Sequence, residues 1–289
     1  MHLQRRWLLA MLVCCCSQFA KGEARLAIII DDIGYNQILS ERAVRLPGDF
    51  TLSILPFTPH GIESAQLAHQ LGKELMLHAP MSNIKNIPLG LGGLYSNMSK
   101  DALVATFRQD LNNLPFIKGV NNHMGSQLTQ EAEPMQWVME EVRARGLYFV
   151  DSRTSAQTKA FDIAQAYRIP SLKRDVFLDD IEDREAIELQ LNRALKFAHL
   201  RGSAVAIGHP YAITLSVLEN IQPLLKQQNI KLVFASELLD AENVSQLGPL
   251  ETDSTLTYCP VTQVTLWVGP SFYIQDLVNG ILRDILVIN

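Results

Sequence analysis

The run Leu26-Ala27-Ile28-Ile29-Ile30 is apolar without a break and stops on Asp31-Asp32, followed by Ile33-Gly34-Tyr35. A strand with one wet face alternates apolar and polar residues, whereas an unbroken run marks a strand covered on both faces, as in a parallel sheet. Parallel neighbours need a crossover between them, so such a strand commits the chain to strand–helix alternation. The alternation is present. Residues 50–55, 74–77, 118–122, 147–150, 171–177, 203–207 and 231–235 read as further strands. Residues 36–46, 61–71, 100–112, 131–145, 155–167 and 215–227 have helical spacing, with Ser99 placed as an N-cap. The clearest helix starts near Asp183 and carries Ile187, Leu191, Ala194, Leu195 and Ala198 on one face. With no hairpin signal and right-handed crossovers, the fold is an α/β parallel sheet, open or closed. A closed barrel of about seven or eight strands suits this length better.

The first and last stretches stand apart from this rhythm. Arg5-Arg6, a short apolar run over residues 7–16, and Ala20 or Ala24 as cleavage points make residues 1–24 a secretory signal. The expected location is periplasmic or secreted. The run is shorter than the ~20 residues a membrane span requires, so no transmembrane domain is expected after cleavage, with an uncleaved anchor as the alternative. Cys14, Cys15 and Cys16 raise lipidation, but Val13 stands where a small residue belongs. Cleavage would leave Cys259 alone, without an internal disulfide or a Cys-x-x-Cys site. The barrel is expected over residues 25–239, and residues 240–289 form an extension without an assigned role. A net charge of -5, with no basic run beyond the N-terminus, argues against nucleic acid as a partner.

Chemistry-bearing side chains collect at the strand ends: Asp31 and Asp32, His78, His123, Asp151, Asp175 and His209. In parallel α/β folds the C-terminal ends of the strands converge on one face, where ligands bind. Adjacent residues on a strand point to opposite sides, so Asp31 and Asp32 are expected to take different tasks. One carboxylate with two neutral imidazoles suits zinc or another divalent metal. A second carboxylate can take a proton from water, and a separate histidine can protonate a leaving group. Asp151 or Asp175 can orient or tune either partner. This is the chemistry of metal-assisted amide or ester hydrolysis. Neither a Gly-x-Ser-x-Gly elbow nor a His-Glu-x-x-His helix is present. Tyr35, Phe57, Tyr95 and Tyr211 are either sugar-stacking rings or ordinary loop contacts.

The segments Ile30-Asp31-Asp32-Ile33-Gly34, His78-Ala79-Pro80-Met81, Asn121-Asn122-His123-Met124-Gly125-Ser126, Asp151-Ser152-Arg153 and Gly208-His209-Pro210 together resemble the divergent polysaccharide deacetylases. The similarity runs from about Arg25 to Leu239. It implies a distorted (β/α) barrel, an envelope location, a carbohydrate substrate and a divalent metal such as zinc. It makes Asp31 the catalytic base, Asp32 and His78 metal ligands, and His209 the general acid. Ser82 occupies the place of the superfamily's second metal histidine, so His123 is expected to complete the set. His123-Met124-Gly125 also replaces the superfamily's Arg-Pro-Pro motif. The expected activity is removal of acetyl groups from an envelope glycan; the alternative is an inactive glycan-binding protein on the same scaffold.

Overall fold

The computed structural model describes residues 23–239. Apart from Glu23 and Ala24, the expected leader lies outside the described residues, and so does the C-terminal extension. The chain runs β1 (Ala24–Ile33), α1 (Gln37–Val44), β2 (Thr51–Ile54), α2 (Gly61–Gln70), β3 (Glu74–Met81), α3 (Lys100–Asn113), β4 (Ile117–Met124) and α4 (Ala132–Ala144). It continues with β5 (Tyr148–Asp151), α5 (Ala160–Ala166), β6 (Ser171–Lys173), β7 (Val176–Phe177) and α6 (Arg184–Arg201). The last elements are β8 (Ser203–Gly208), α7 (Ala212–Leu218), α8 (Ile221–Gln227) and β9 (Ile230–Val233).

All strand pairs are parallel, in the order β6-β5-β4-β3-β2-β1-β8-β7. This is the expected distorted α/β barrel. The two ends of the order meet in one segment. The Arg174 amide donates to Asp151 O on one side, while the Asp175 and Leu178 amides donate to Val205 O and Ile207 O on the other. The single strand expected over residues 171–177 is therefore two, because the chain changes partner in its middle. The helix expected over 215–227 is also two. Pro223 lies in the first turn of α8, where a missing N–H is tolerated, but it would break a continuous helix.

β1 has three neighbours. β8 lines one edge, and β9 and β2 share the other, β9 along Ala24–Ala27 and β2 from Ile29 onward. Its side chains alternate as the sequence requires. Leu26, Ile28 and Ile30 join the layer beneath the helices, while Ala27 and Ile29 point inward with Met76, Val150, Val205 and Ile207. Below them, buried Glu74 accepts hydrogen bonds from Thr51 Oγ1 (3.1 Å), Tyr148 Oη (2.8 Å), the Ser236 amide (3.1 Å) and Ser236 Oγ. These bonds tie the turn at Ala235–Leu238 across the floor of the barrel. Above the apolar layer the inward positions become polar.

One buried acid stands outside these networks. Asp110 on α3 is fully buried beside Gly92, both its oxygens lack hydrogen-bond partners, and burial pushes its carboxyl up to about 8. The folded state keeps a proton that the unfolded chain releases above about pH 4, so stability falls as pH rises from there to about 8. Asp110→Asn is expected to remove that slope, with a gain on the order of 5 kcal/mol at pH 8 and little at pH 4. Urea denaturation of both proteins at the two pH values measures it; parallel pH profiles would contradict it.

Candidate metal centre

A break in alternation builds the site. Ile30 pairs with Leu52 but Ile33 with Ile54, so Asp31 and Asp32 together face the single residue Ser53. This is a bulge, with Asp32 in the left-handed region at φ 57. Aspartate tolerates that region better than most residues, because its short side chain bonds locally. The bulge turns the Asp32 carboxylate back toward the barrel mouth beside Asp31, so the two acids do not diverge as strict alternation requires. Gly34 follows at φ 127, and a Cβ there would lie 2.0 Å from Thr58 Oγ1. Only glycine fits, and it fixes where the turn after the acids begins.

Three ligand atoms converge on this corner. Asp32 Oδ1 lies 3.2 Å from His78 Nε2 and 2.8 Å from His123 Nδ1, and the two nitrogens are 3.2 Å apart. Ligands in a tetrahedral zinc site, at about 2.0–2.2 Å from the ion, are about 3.3 Å from one another. The hydrogen-bond pattern agrees with a ligand role. Asp32 Oδ1 is buried and has no well-aligned hydrogen bond despite its two close nitrogens. The residues present therefore fit a divalent cation. His78 Nδ1 lies 2.7 Å from Asn121 Oδ1, while Asn121 Nδ2 donates to Asp31 Oδ1 at 2.8 Å. The amide oxygen can only accept, so His78 carries its proton on Nδ1 and turns the Nε2 lone pair to the cluster.

Charge on these groups follows from burial and proximity. Burial would raise the Asp32 carboxyl, but the close imidazoles of His123 and His78 hold it well below the usual carboxylate range. For Asp31 burial prevails and raises the carboxyl, against the lowering effect of His78, His209 and Asn121. Burial would lower His78, but the charges of Asp31 and Asp32 raise it.

His209 closes the mouth from β8, with Nε2 3.8 Å from Asp32 Oδ2. Its Nδ1 lies 2.9 Å from Asp179 Oδ1, and its backbone amide donates to Asp179 Oδ2 at 2.7 Å. Thr214 Oγ1 adds a third donor to Asp179 at 2.8 Å. Burial alone would lower His209, but the hydrogen bond and charge of Asp179 push it up to about 9. The rings of Phe177 and Tyr211 flank it, with centroids at 5.1 and 5.4 Å.

Asp31, Asp32, His78, His123 and His209 are thus brought together; Asp151 and Asp175 are not. Asp151 faces away from the mouth and accepts from the Arg153 amide, Thr158 Oγ1 and the Phe161 amide, organising the turn before α5. That turn delays the helix expected from residue 155 until Ala160. Asp175 faces α6, where it pairs with Arg201 at 2.8 Å and accepts the Val205 amide. Asp151 sits out of phase with its inward neighbour Val150, and Asp175 lies where the chain passes from β6 to β7. Asp179 and Asn121, which the sequence reading left without a role, bond directly to members of this cluster. Asn121 shares its strand face with His123, and Asp179 lies two positions past inward-facing Phe177. Ser82 holds Ser96 and accepts the Gln127 and Leu128 amides, while His123 stands beside His78.

Comparison with known proteins agrees with this architecture. Residues 28–239 match the model of the divergent polysaccharide deacetylase family. The uncharacterized protein YibQ of Escherichia coli K12 is 39% identical over 225 residues, covering 78% of this chain and 70% of YibQ. An uncharacterized protein of Haemophilus influenzae is 32% identical over 203 residues, covering 70% of this chain and 72% of its own. The crystal structure of uncharacterized protein ATU2773 from Agrobacterium tumefaciens superimposes with a TM-score of 0.73 at 24% identity, covering 75% of this chain and 89% of that one, and shares the fold. The extent of the family match, together with these relatives, makes this chain a member of the divergent polysaccharide deacetylase family.

Proposed function

We propose that the chain is a zinc-dependent deacetylase acting on an acetylated carbohydrate of the bacterial envelope. The observation that carries the reading is the placement of three convergent ligand atoms between a buried carboxylate and a protonated imidazole. A cation held by Asp32, His78 and His123 would supply Lewis acidity, lowering the pKa of water and polarising a carbonyl. The remaining work falls to side chains of this chain. Asn121 occupies Asp31 Oδ1, leaving Oδ2 to take a proton from the attacking water. The raised affinity of Asp31 for protons suits a base. His209, kept protonated by Asp179, gives its Nε2 proton to the departing nitrogen or oxygen. Asn121 and Asp179 act by fixing the orientation of these groups.

The leader read in residues 1–24 supports a periplasmic or secreted location, where an envelope glycan is at hand. The test is acetate release from acetylated oligosaccharides by zinc-loaded protein, alongside an Asp31→Asn variant. The variant is expected to keep its zinc and lose activity at least about 100-fold. Glycan binding without acetate release, whichever divalent metal is supplied, would replace the reading with a carbohydrate-binding role.

A further inference from the structure

Arg174 points into the barrel mouth. It shares its strand face with inward-facing Leu172, while Lys173 lies over Phe161 and Asp175 turns to Arg201. Its guanidinium carbon is 4.9 Å from the centre of the Phe177 ring, the ring that meets His209 on the catalytic side. Nε donates to Ser152 O at 2.6 Å and Nη2 to Arg153 O at 2.9 Å. Arg153 is itself in the left-handed region, at φ 49, with an exposed side chain.

Among the described residues this guanidinium forms no ion pair with a carboxylate; the arginine ion pairs are those of Arg42, Arg108, Arg184 and Arg201. Burial lowers the Arg174 pKa and the charge of Arg153 lowers it further, while Asp31, Asp151 and Asp180 act on it in the other direction. Holding a half-buried cation on two backbone carbonyls, beside a second arginine, costs stability, since neither carbonyl neutralises it. Two of its five N–H groups are used, so the fork retains donors for an outside acceptor. Three acids within electrostatic reach favour a ligand with one negative charge over a phosphate dianion.

We infer that Arg174, with Arg153 at the rim, forms an anion subsite for a carboxylate carried by the sugar next to the acetylated one. The substrate is then an acidic glycan. The inference rests on the deacetylase reading, and binding measurements separate the two. The probes are a neutral N-acetylglucosamine tetramer and a tetramer alternating N-acetylglucosamine with glucuronic acid. They are titrated calorimetrically into the zinc-loaded Asp31→Asn protein, which keeps substrate intact.

The acidic tetramer is expected to bind at least about 10-fold more tightly at low salt, with the gap narrowing as salt rises. Adding Arg174→Gln should abolish the gap and Arg153→Gln should reduce it. The Arg153 side chain is exposed, so its variant keeps the test alive if Arg174→Gln fails to fold. Equal affinities, a gap that survives both substitutions, or no binding of either tetramer would overturn the inference. Acetate release from the neutral tetramer by the parent protein, without acidic preference, would remove the inference and leave the deacetylase reading. An arginine-dependent preference without acetate release from either tetramer would do the reverse.

Discussion

His123→Ala is expected to weaken zinc binding at least about 100-fold and to abolish acetate release, while the protein stays folded. The imidazole contributes one of three ligand atoms, and among the described residues no further His, Cys, Asp or Glu joins that convergent group; the Ser82 side chain is engaged with Ser96. The side chain is partly exposed at the mouth, so its removal opens no core cavity. Asp32 needs a different substitution. At φ 57 an alanine would add backbone strain to the loss of a ligand, whereas asparagine accepts that conformation and removes the charge. Asp32→Asn should therefore lose zinc without added backbone strain, while also giving up the stabilising charge contacts with His123 and His78. Elemental analysis and the zinc-induced rise in melting temperature, which reports affinity through mass action, measure both variants. Zinc retained at parental affinity by His123→Ala would remove it from the ligand set.

Asp179→Asn is expected to move the alkaline limb of the pH–rate profile by about two units toward acid. The folded protein holds the His209 imidazolium up to about pH 9 because Asp179 accepts its Nδ1 proton. Without that charge the value falls toward the ordinary ~6.5. Activity that needs the protonated imidazole then disappears as pH rises through the lower value. At pH 8 the protonated fraction alone predicts a loss of about 30-fold, and at pH 6 almost none. A variant that loses activity equally at both pH values would show Asp179 acting only as a scaffold. An imidazole NMR titration of His209 follows the shift directly.

The barrel was legible because β1 opens on an unbroken apolar run, which records burial on both faces, and strands and helices alternate after it. Asp31, Asp32, His78, His123 and His209 were legible as reactive residue types at strand ends. What failed was phase. Asp151 is an acid at a strand end too, but alternation against Val150 puts it on the outward face; Asp175 sits between β6 and β7, with its carboxylate taken by Arg201 and the Val205 amide. The same rule points to Arg174, Asn121 and Asp179, which share inward faces with Leu172, His123 and Phe177. It could be applied only with register known, and residue type alone does not supply register. Asp32 is the opposite case. Alternation turns it away from Asp31, and the bulge that brings it back depends on a left-handed backbone that sequence periodicity does not reveal.

The pairing of β1 also sets the order in which such a molecule can be assembled. Arg25 is bonded beside Ser203, and Ala24 beside Ile230. β1 therefore waits for β8 and β9, the last strands among the described residues, before both its edges are covered. Until then Ile28, Ile29 and Ile30 are an uncovered apolar template, and the entropy of closing that long loop must be met before any contact compensates it. A chain stopped short of β8 leaves Asp31 and Asp32 on a half-paired strand, so partial synthesis yields no partial site.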